Sequence, residues 1–213
     1  MIPKIIHQFW VGPKPPPHDL IETWKKAHPK WKHILWTDET LHKHFPDGLH
    51  NQAHYDYMPE LNGKCDIARW EILEKFGGFF LDADAVCTAS LDHYLLQNDS
   101  FACYENELVR PNLIAAGYIG ACKNNSLMKI LVHELHAKPI SSVWQGGKSA
   151  WKTVGPVFLT ETVHKYRYTN ITVYPSFYFI PKHYTGIEYT GPAKSYAKQL
   201  WGSTPGSGYE YAN

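Results

Sequence analysis

Apolar and polar positions along the chain predict alternating strands and helices. The apolar run Ile5–Val11, which ends at a glycine, is typical of a buried strand. Residues 19–27 then predict a short helix that stops before a proline, and residues 34–36 predict a second strand. Between 38 and 62 the periodicity is weak, which indicates short helices and loops.

The clearest helical periodicity lies between Asn62, a candidate N-cap, and Gly77, a candidate C-terminal stop. The next residues, Gly78–Leu81, form a short apolar run that predicts a buried strand. Further elements are predicted along the rest of the chain: strands at 101–104, 114–121 and 171–178, and helices at 127–136 and 155–166. Because strands and helices alternate, we expect an α/β fold with a mostly parallel central sheet flanked by helices.

The composition of the chain is that of a folded protein. With 213 residues, 44% hydrophobic and 19% charged, we expect a single domain over residues 1–213. The turn-rich tail at 202–213 is expected to be flexible. A net charge of +1 disfavours non-specific nucleic-acid binding, which needs a strongly basic face. Aromatic residues make up 15%, which suits stacking on rings or sugars but also a large core.

The sequence predicts neither a membrane span nor secretion. No run approaches the roughly 20 apolar residues that cross a bilayer. The first ten residues are too short and too polar for a signal peptide, and the four cysteines have no CxxC spacing. We therefore expect a cytoplasmic location, where thiols stay reduced.

Asp82 and Asp84 carry the strongest chemical signal. Side chains two residues apart on a strand point to one face, so the two carboxylates are expected to lie side by side. Such a pair is repulsive unless a cation lies beside it, and carboxylate oxygens suit Mg²⁺ or Mn²⁺ with substrate phosphates completing the shell. Open α/β sheets bind ligands at the carboxyl ends of their strands, where this pair lies. The other interpretation is two solvated acids in a turn.

Two further groups of polar residues could reach the same place. Asp66 and Arg69 are three residues apart on one face of the helix that leads into the Asp82 strand. The alternative is a surface ion pair that stabilises by less than about 1 kcal/mol. His7, Gln8 and Trp10 end the first strand, where the indole could stack on a base. The alternative is a core tryptophan with satisfied polar neighbours.

A phosphatase is the competing interpretation of the paired aspartates. The segment from Asp82 to Val86 resembles the opening motif of haloacid-dehalogenase-like phosphatases, whose first aspartate is a nucleophile. That family needs a second acidic pair late in the chain to hold Mg²⁺. No aspartate follows Asp99, and the later glutamates are isolated or one residue apart. The phosphatase interpretation is therefore disfavoured.

Six segments of the chain together match the sequence pattern of one known family. The strong matches are IPKIIHQFWVGPKPP at 2–16, WKKAHPKWKHILW at 24–36 and CDIARWEILEKFGGFFLDADA at 65–85. Weaker matches are NLIAAGYIGA at 112–121, TVGPVFLTETV at 153–163 and SYAKQLWGS at 195–203. In these segments the chain resembles the DxD-containing sugar-nucleotide glycosyltransferases of family 32, which include fungal mannosyltransferases, capsular polysaccharide enzymes and clostridial toxin glucosyltransferases. The resemblance implies a GT-A nucleotide-binding fold.

The resemblance also implies roles for these residues. Trp10 would stack on the uracil of a UDP-sugar, in the donor-binding region that His7 and Gln8 share. Asp66 and Arg69 would hold the hydroxyls of the donor sugar. Asp82 would address the ribose and the metal shell, and Asp84 would coordinate Mn²⁺ or Mg²⁺ directly. The resemblance makes Asp66, Arg69 and Asp84 the expected catalytic residues.

The chain departs from the family pattern in two places. The family usually has Tyr two residues before the first Asp of the DxD, where this chain has Phe80, so a hydroxyl expected near the donor is missing. Towards the carboxyl end relatives often carry His-His-Trp, and here the stretch is Gln199-Leu200-Trp201. Trp201 stays a candidate donor contact, while the hydroxyl of Ser203 is the candidate replacement for a lost ligand.

The expected function is metal-dependent transfer of a hexose or deoxyhexose from a UDP-sugar to a glycan or other hydroxyl acceptor. An inverting enzyme needs a general base, for which Glu105 and Glu107 are candidates because they follow a predicted strand on the acceptor side. Their alternative role is in a polar loop. A retaining enzyme needs no such base, and the resemblance favours retention. A protein that binds nucleotide sugars without turnover is the other class of function.

Overall fold

Strands and helices alternate along the chain in the computed structural model, which describes residues 1–144 and 149–202. The strands are β1 (Ile5–Phe9), β2 (Lys32–Trp36), β3 (Gly78–Leu81), β4 (Ala85–Cys87), β5 (Ser100–Asn106), β6 (Arg110–Ala121), β7 (Ile171–Tyr174) and β8 (Ala197–Gln199). The α-helices are α1 (His18–Ala27), α2 (Asp38–His44), α3 (Gln52–Tyr57), α4 (Leu61–Phe76), α5 (Ser126–His136), α6 (Ile140–Val143), α7 (Ala150–Thr153) and α8 (Pro156–Lys165). Two 3-10 helices span His93–Gln97 and Ser176–Tyr178.

The central sheet has six strands in the order β2-β1-β3-β6-β5-β7. Strand β1 pairs in parallel with β2 and β3, and β5 pairs in parallel with β7. Strand β6 is antiparallel to both of its neighbours, β3 and β5, so the other five strands share one direction. The predicted α/β fold with a mostly parallel central sheet is confirmed. Strands β4 and β8, which the sequence did not predict, form a separate antiparallel pair.

Hydrophobic residues pack on both faces of the sheet because neighbouring positions of a strand point to opposite sides. Phe80 belongs to a core that includes residues of α2 to α8, whereas Phe79 and Leu81 belong to a second core. Trp24 of α1 and the leucines of the first 3-10 helix complete that second core. The sheet is thus covered on both sides, and its strands end at an edge where polar residues gather.

Two glycines turn the chain from α4 into β3. Gly77 has a φ of +64° and Gly78 a φ of +112°, both in the region that side chains rarely adopt. A Cβ on Gly77 would lie 2.5 Å from the backbone nitrogen of Lys123, so a larger residue would also clash there. The predicted stop at Gly77 is confirmed. The predicted N-cap at Asn62 is wrong, because α4 already begins at Leu61 and places Asn62 inside its first turn.

One predicted strand in the second half of the chain is shorter than expected. The predicted strand at 171–178 ends at Tyr174, since Pro175 has no backbone N–H for a ladder and the next residues form a 3-10 helix. Within the described residues no helix combines the length and apolar character needed to cross a membrane. The cytoplasmic location and the single domain stay predictions. The predicted flexible tail falls, from residue 203 onward, outside the described residues.

Candidate active site

The two aspartates of the DxD motif lie in the turn between β3 and β4, at the carboxyl end of β3. They follow the strand rather than continue it, so the alternation of side chains along a strand does not set their directions. The backbone N–H of Asp82 donates to the carbonyl of Gly117 at 3.0 Å, and the Leu200 N–H donates to the carbonyl of Asp84 at 3.1 Å. These bonds from β6 and from the residue after β8 fix the turn, and both carboxylates still converge on one place.

The carboxylates of Asp82 and Asp84 converge on the side-chain amide of Gln199. Its Nε2 donates to Asp84 Oδ1 at 3.1 Å and to Asp82 Oδ2 at 3.4 Å. The other Asp84 oxygen accepts a 2.7 Å hydrogen bond from the backbone N–H of Gly202. Asp84 is only 9% exposed, and burial, followed by the charge of Asp82, raises its pKa to about 6. The interpretation of two solvated acids is therefore wrong.

Arg69 joins the DxD turn to helix α4. Its Nη2 lies 3.0 Å from Asp82 Oδ1, and its Nη1 lies 3.3 Å from Asp66 Oδ1, one helical turn away. The Arg69 side chain is 3% exposed, so the alternative of a surface ion pair is wrong. Burial raises the pKa of the Asp66 carboxyl to about 7 against the opposing effect of the guanidinium. The structure thus brings these three predicted residues together in one buried network.

Phe80 supports this network from below. The guanidinium carbon of Arg69 lies 4.6 Å from the centroid of the Phe80 ring, a cation–π arrangement. Phe80 itself has no exposed surface. Strand β3 directs this ring into the core, where it also packs against His7. A role for Phe80 in donor binding stays a prediction.

Two glycines leave room for the carboxylates. A Cβ on Gly117 of β6 would lie 2.3 Å from Asp82 Oδ2, and a Cβ on Gly155 would lie 2.4 Å from Asp66 Oδ2. Real Cβ atoms do not approach oxygen so closely, so any other residue at either position would displace the carboxylate. These glycines were missed from the sequence because the contacts are long-range.

His7 and Gln8 are fully buried parts of the framework. His7 Nε2 donates to the Gly77 carbonyl at 2.8 Å, and its Nδ1 accepts from the Trp36 indole at 3.0 Å. One ring nitrogen that donates and one that accepts together require the neutral imidazole. Burial lowers the pKa of His7 to about 4. Gln8 donates to the Asp82 carbonyl at 3.3 Å. Neither side chain has exposed surface. Their contact with the donor stays a prediction.

Trp10 follows β1 at the same edge of the sheet. Its ring is partly exposed, and its Nε1 donates to the carbonyl of Lys14 at 2.8 Å. The indole has a single N–H donor, so this hydrogen bond uses it and orients the ring. The proposed stacking on a base stays a prediction.

The carboxyl-terminal segment closes the other side of the DxD turn. Trp201 has a φ of +59°, donates from its indole to the carbonyl of Lys182 at 3.2 Å, and packs edge-on against His183. Its neighbour Gly202 makes the bond to Asp84 described above. Ser203, the candidate replacement ligand, lies outside the described residues.

Both candidate bases already have ion-pair or hydrogen-bond partners. Glu105 is buried, with one oxygen 2.9 Å from Arg110 Nη1 and 3.3 Å from His183 Nε2. Glu107 accepts hydrogen bonds from the backbone N–H and the hydroxyl of Ser176. Glu105 is linked to the site through His183 and Trp201, whereas Glu107 holds the loop that follows β7. Neither role as a base is tested by these contacts.

The site offers a cation the two carboxylates of the DxD turn, with the buried Arg69–Asp66 pair beside them. Across residues 1–144 and 149–202, no three His, Cys, Asp or Glu side chains are grouped as a metal site. Two carboxylates with a neutral amide between them suit Mg²⁺ or Mn²⁺, which take part of their shell from substrate phosphates. The geometry therefore fits a cation that arrives with a phosphorylated ligand.

Comparison with known proteins gives the site a family. Residues 17–101 match the family described as "Glycosyltransferase sugar-binding region containing DXD motif". This region belongs to the DXD glycosyltransferases. It includes Asp66, Arg69, Asp82 and Asp84, and the predicted family and enzyme class are confirmed.

The chain is 35% identical over 102 residues to inositol phosphoceramide mannosyltransferase 3 of Schizosaccharomyces pombe, a match covering 44% of this chain and 27% of that relative. It therefore spans about a quarter of the relative's length.

Solved glycosyltransferases share the fold. The PaToxG glycosyltransferase superimposes with a TM-score of 0.59 at 17% identity, over 78% of this chain and 70% of that one. The UDP-bound glycosyltransferase domain from the YGT toxin superimposes with a TM-score of 0.54 at 11% identity, over 81% of this chain and 79% of that one. At such identities the likeness concerns the fold, and it confirms the predicted GT-A architecture.

Proposed function

We propose that the protein is a metal-dependent glycosyltransferase that moves a hexose or deoxyhexose from a UDP-sugar to a hydroxyl of a glycan or another acceptor. The observation that carries this proposal is the convergence of Asp82 and Asp84 at the carboxyl end of β3, beside the buried Arg69. Similarity to a mannosyltransferase supports a hexose, and a structural neighbour with bound UDP supports a uridine nucleotide.

Asp82 and Asp84 would hold Mn²⁺ or Mg²⁺ together with the diphosphate of the donor. When bound, the cation supplies Lewis-acid stabilisation of the negative charge on the departing UDP. The aspartates are suited to this because the turn fixes both of them through backbone bonds to β6 and to the segment after β8. A fixed pair needs little reorganisation when charge develops on the leaving group.

Asp66 and Arg69 would hold the hydroxyls of the donor sugar. A hydroxyl both donates and accepts, so a carboxylate next to a guanidinium can satisfy both of its functions. Trp10, at the same edge of the sheet, would stack on the uracil.

The acceptor side favours retention over inversion. An inverting base must reach the acceptor hydroxyl with a free carboxylate or imidazole. Glu105 is held by Arg110 and His183, and Glu107 is held by Ser176, so each would have to leave its partners to act as a base. Front-face transfer with retention requires no protein base, and we propose it as the stereochemical outcome.

The proposal is tested by donor hydrolysis. Purified protein should release UDP from at least one of UDP-glucose, UDP-galactose and UDP-N-acetylglucosamine in the presence of Mn²⁺, and release should stop when EDTA is added. GDP-mannose belongs in the same panel, because release of GDP but not of UDP would contradict the assignment of the base. Binding of a UDP-sugar with no release from any donor would favour the second class, a nucleotide-sugar-binding protein without turnover.

A further inference from the structure

Gln199 occupies the position between the two DxD carboxylates. Its amide has two N–H bonds, and the two acceptors within reach of Nε2 are Asp84 Oδ1 at 3.1 Å and Asp82 Oδ2 at 3.4 Å. An NH₂ group aimed at this point repels a cation, since its hydrogens carry partial positive charge. The arrangement therefore stabilises the carboxylates without metal and must change when a cation binds.

The backbone around Gln199 cannot move easily. Gln199 is the last residue of β8 and pairs with Ala85, the residue directly after Asp84. Leu200 then donates to the Asp84 carbonyl at 3.1 Å. Because bonds on both sides tie this segment to the DxD turn, a change at the site has to come from the Gln199 side chain.

Rotation of the amide by half a turn is the change that the surroundings permit. The terminal torsion of a glutamine is broad and roughly two-fold, so this rotation has a small torsional cost. The Gln199 oxygen now accepts from the hydroxyl of Tyr118, which is fully buried. A phenolic hydroxyl both donates and accepts, so Tyr118 can accept from the rotated NH₂ as well as it donates to the oxygen.

We propose that Gln199 is an amide switch and the third protein ligand of the cation. Without metal, its NH₂ bridges Asp82 and Asp84; with metal, the amide rotates about its terminal bond and Oε1 joins the two carboxylates. A neutral amide oxygen is a hard ligand of the kind that Mg²⁺ and Mn²⁺ accept. This inference rests on the proposed metal dependence and adds to it the residue that completes the site.

The test measures Mn²⁺ binding directly, by the EPR signal of free Mn²⁺, with Mn²⁺ alone and with Mn²⁺ plus UDP. Gln199→Leu removes both the bridge and the oxygen, and should weaken Mn²⁺ binding about tenfold or more, the range seen when groups around a metal are lost. Gln199→Glu keeps an oxygen and should bind Mn²⁺ at least as tightly as the wild type. Gln97→Leu, at an exposed position away from the site, should leave binding unchanged.

A second measurement follows the rotation itself. In ¹⁵N-labelled protein, the side-chain NH₂ resonances of Gln199, identified by their loss in Gln199→Leu, should shift on addition of Mg²⁺ and UDP, while those of Gln97 should not. Thermal unfolding of each variant establishes that it is folded before binding is compared.

The outcomes separate the two proposals. Wild-type binding of Mn²⁺ with equal or tighter binding by Gln199→Leu would overturn the switch and leave the metal-dependent transferase standing, because the amide would then only obstruct the cation. Failure of Gln199→Glu to bind would also overturn it. Absence of Mn²⁺ binding in the wild type, with and without UDP, would overturn both the switch and the proposed metal dependence.

Discussion

Arg69 contacts Asp82 at 3.0 Å and thereby ties the middle of helix α4 to the turn that ends strand β3. The two residues are 13 positions apart, and the chain between them contains the two glycines that reverse its direction. This pair helps to hold the DxD carboxylates, since Arg69 is the charged partner of an Asp82 side chain that stays 27% exposed.

Loss of the Arg69 cation should destabilise the fold as well as the site. In Arg69→Met the carboxylates of Asp66 and Asp82 lose their shared partner, and removal of one member of a buried ion pair costs about 3–5 kcal/mol. Because Asp82 is partly solvated, we expect the lower end of that range. Urea unfolding measures the free energy directly. The exposed Arg167→Met is the control, and equal unfolding free energies for the two variants would show that the Arg69 network contributes nothing.

Gly117 leaves the space that the Asp82 carboxylate occupies. In Gly117→Ala the new Cβ would lie 2.3 Å from Asp82 Oδ2, so the carboxylate must move and donor hydrolysis should fall sharply. Gly120→Ala on the same strand is the matched control, because its Cβ would meet the Phe101 ring at 2.2 Å in the core instead. Both should lower thermal stability by overpacking. Hydrolysis that falls equally per folded molecule in the two variants would show that the position of Asp82 is unimportant.

The buried neutral His7 predicts a pH dependence of stability. Its pKa is 6.5 when unfolded and about 4 when folded, so between these values only the unfolded chain takes up the proton. The free energy of unfolding should therefore fall as the pH drops from about 6.5 to 4, by at most about 3 kcal/mol from this residue, and level off below. In His7→Gln this decline should be smaller than in the wild type.

The control for that experiment is the exposed His42→Gln, which should retain the full decline. His33 also has a pKa lowered to about 4 by burial, so part of the slope remains in His7→Gln and the difference between the curves is the informative quantity. Superimposable curves for His7→Gln and the wild type would show that the histidine is not held neutral.

Local signals made the central part of the site predictable from sequence. Apolar spacing, Gly77 and the following apolar run defined α4, β3 and the start of the DxD turn, and helical spacing placed Asp66 beside Arg69. These features depend on neighbouring residues, which is why the sequence contains them. Their burial came from tertiary packing and could not be judged in advance.

Long-range pairing accounts for what the sequence did not show. Strand β8 is three residues long and pairs with β4 more than a hundred positions earlier, so no periodicity indicates that Gln199 lies on the DxD turn. His7 and Gln8 were candidates for donor binding because polar residues ended a strand. Their partners, Trp36 and His33, lie on the neighbouring strand β2 and satisfy them internally.

Asp84 is the proposed ligand of the cation on which turnover depends. The most direct measurement is Mn²⁺-dependent release of UDP from the preferred UDP-sugar by Asp84→Asn, compared with the wild type and with Asp47→Asn at an exposed position. We expect Asp84→Asn to fold but to lose almost all release, while Asp47→Asn retains it. Release by Asp84→Asn at the wild-type rate and the same Mn²⁺ concentration would show that turnover does not depend on Asp84.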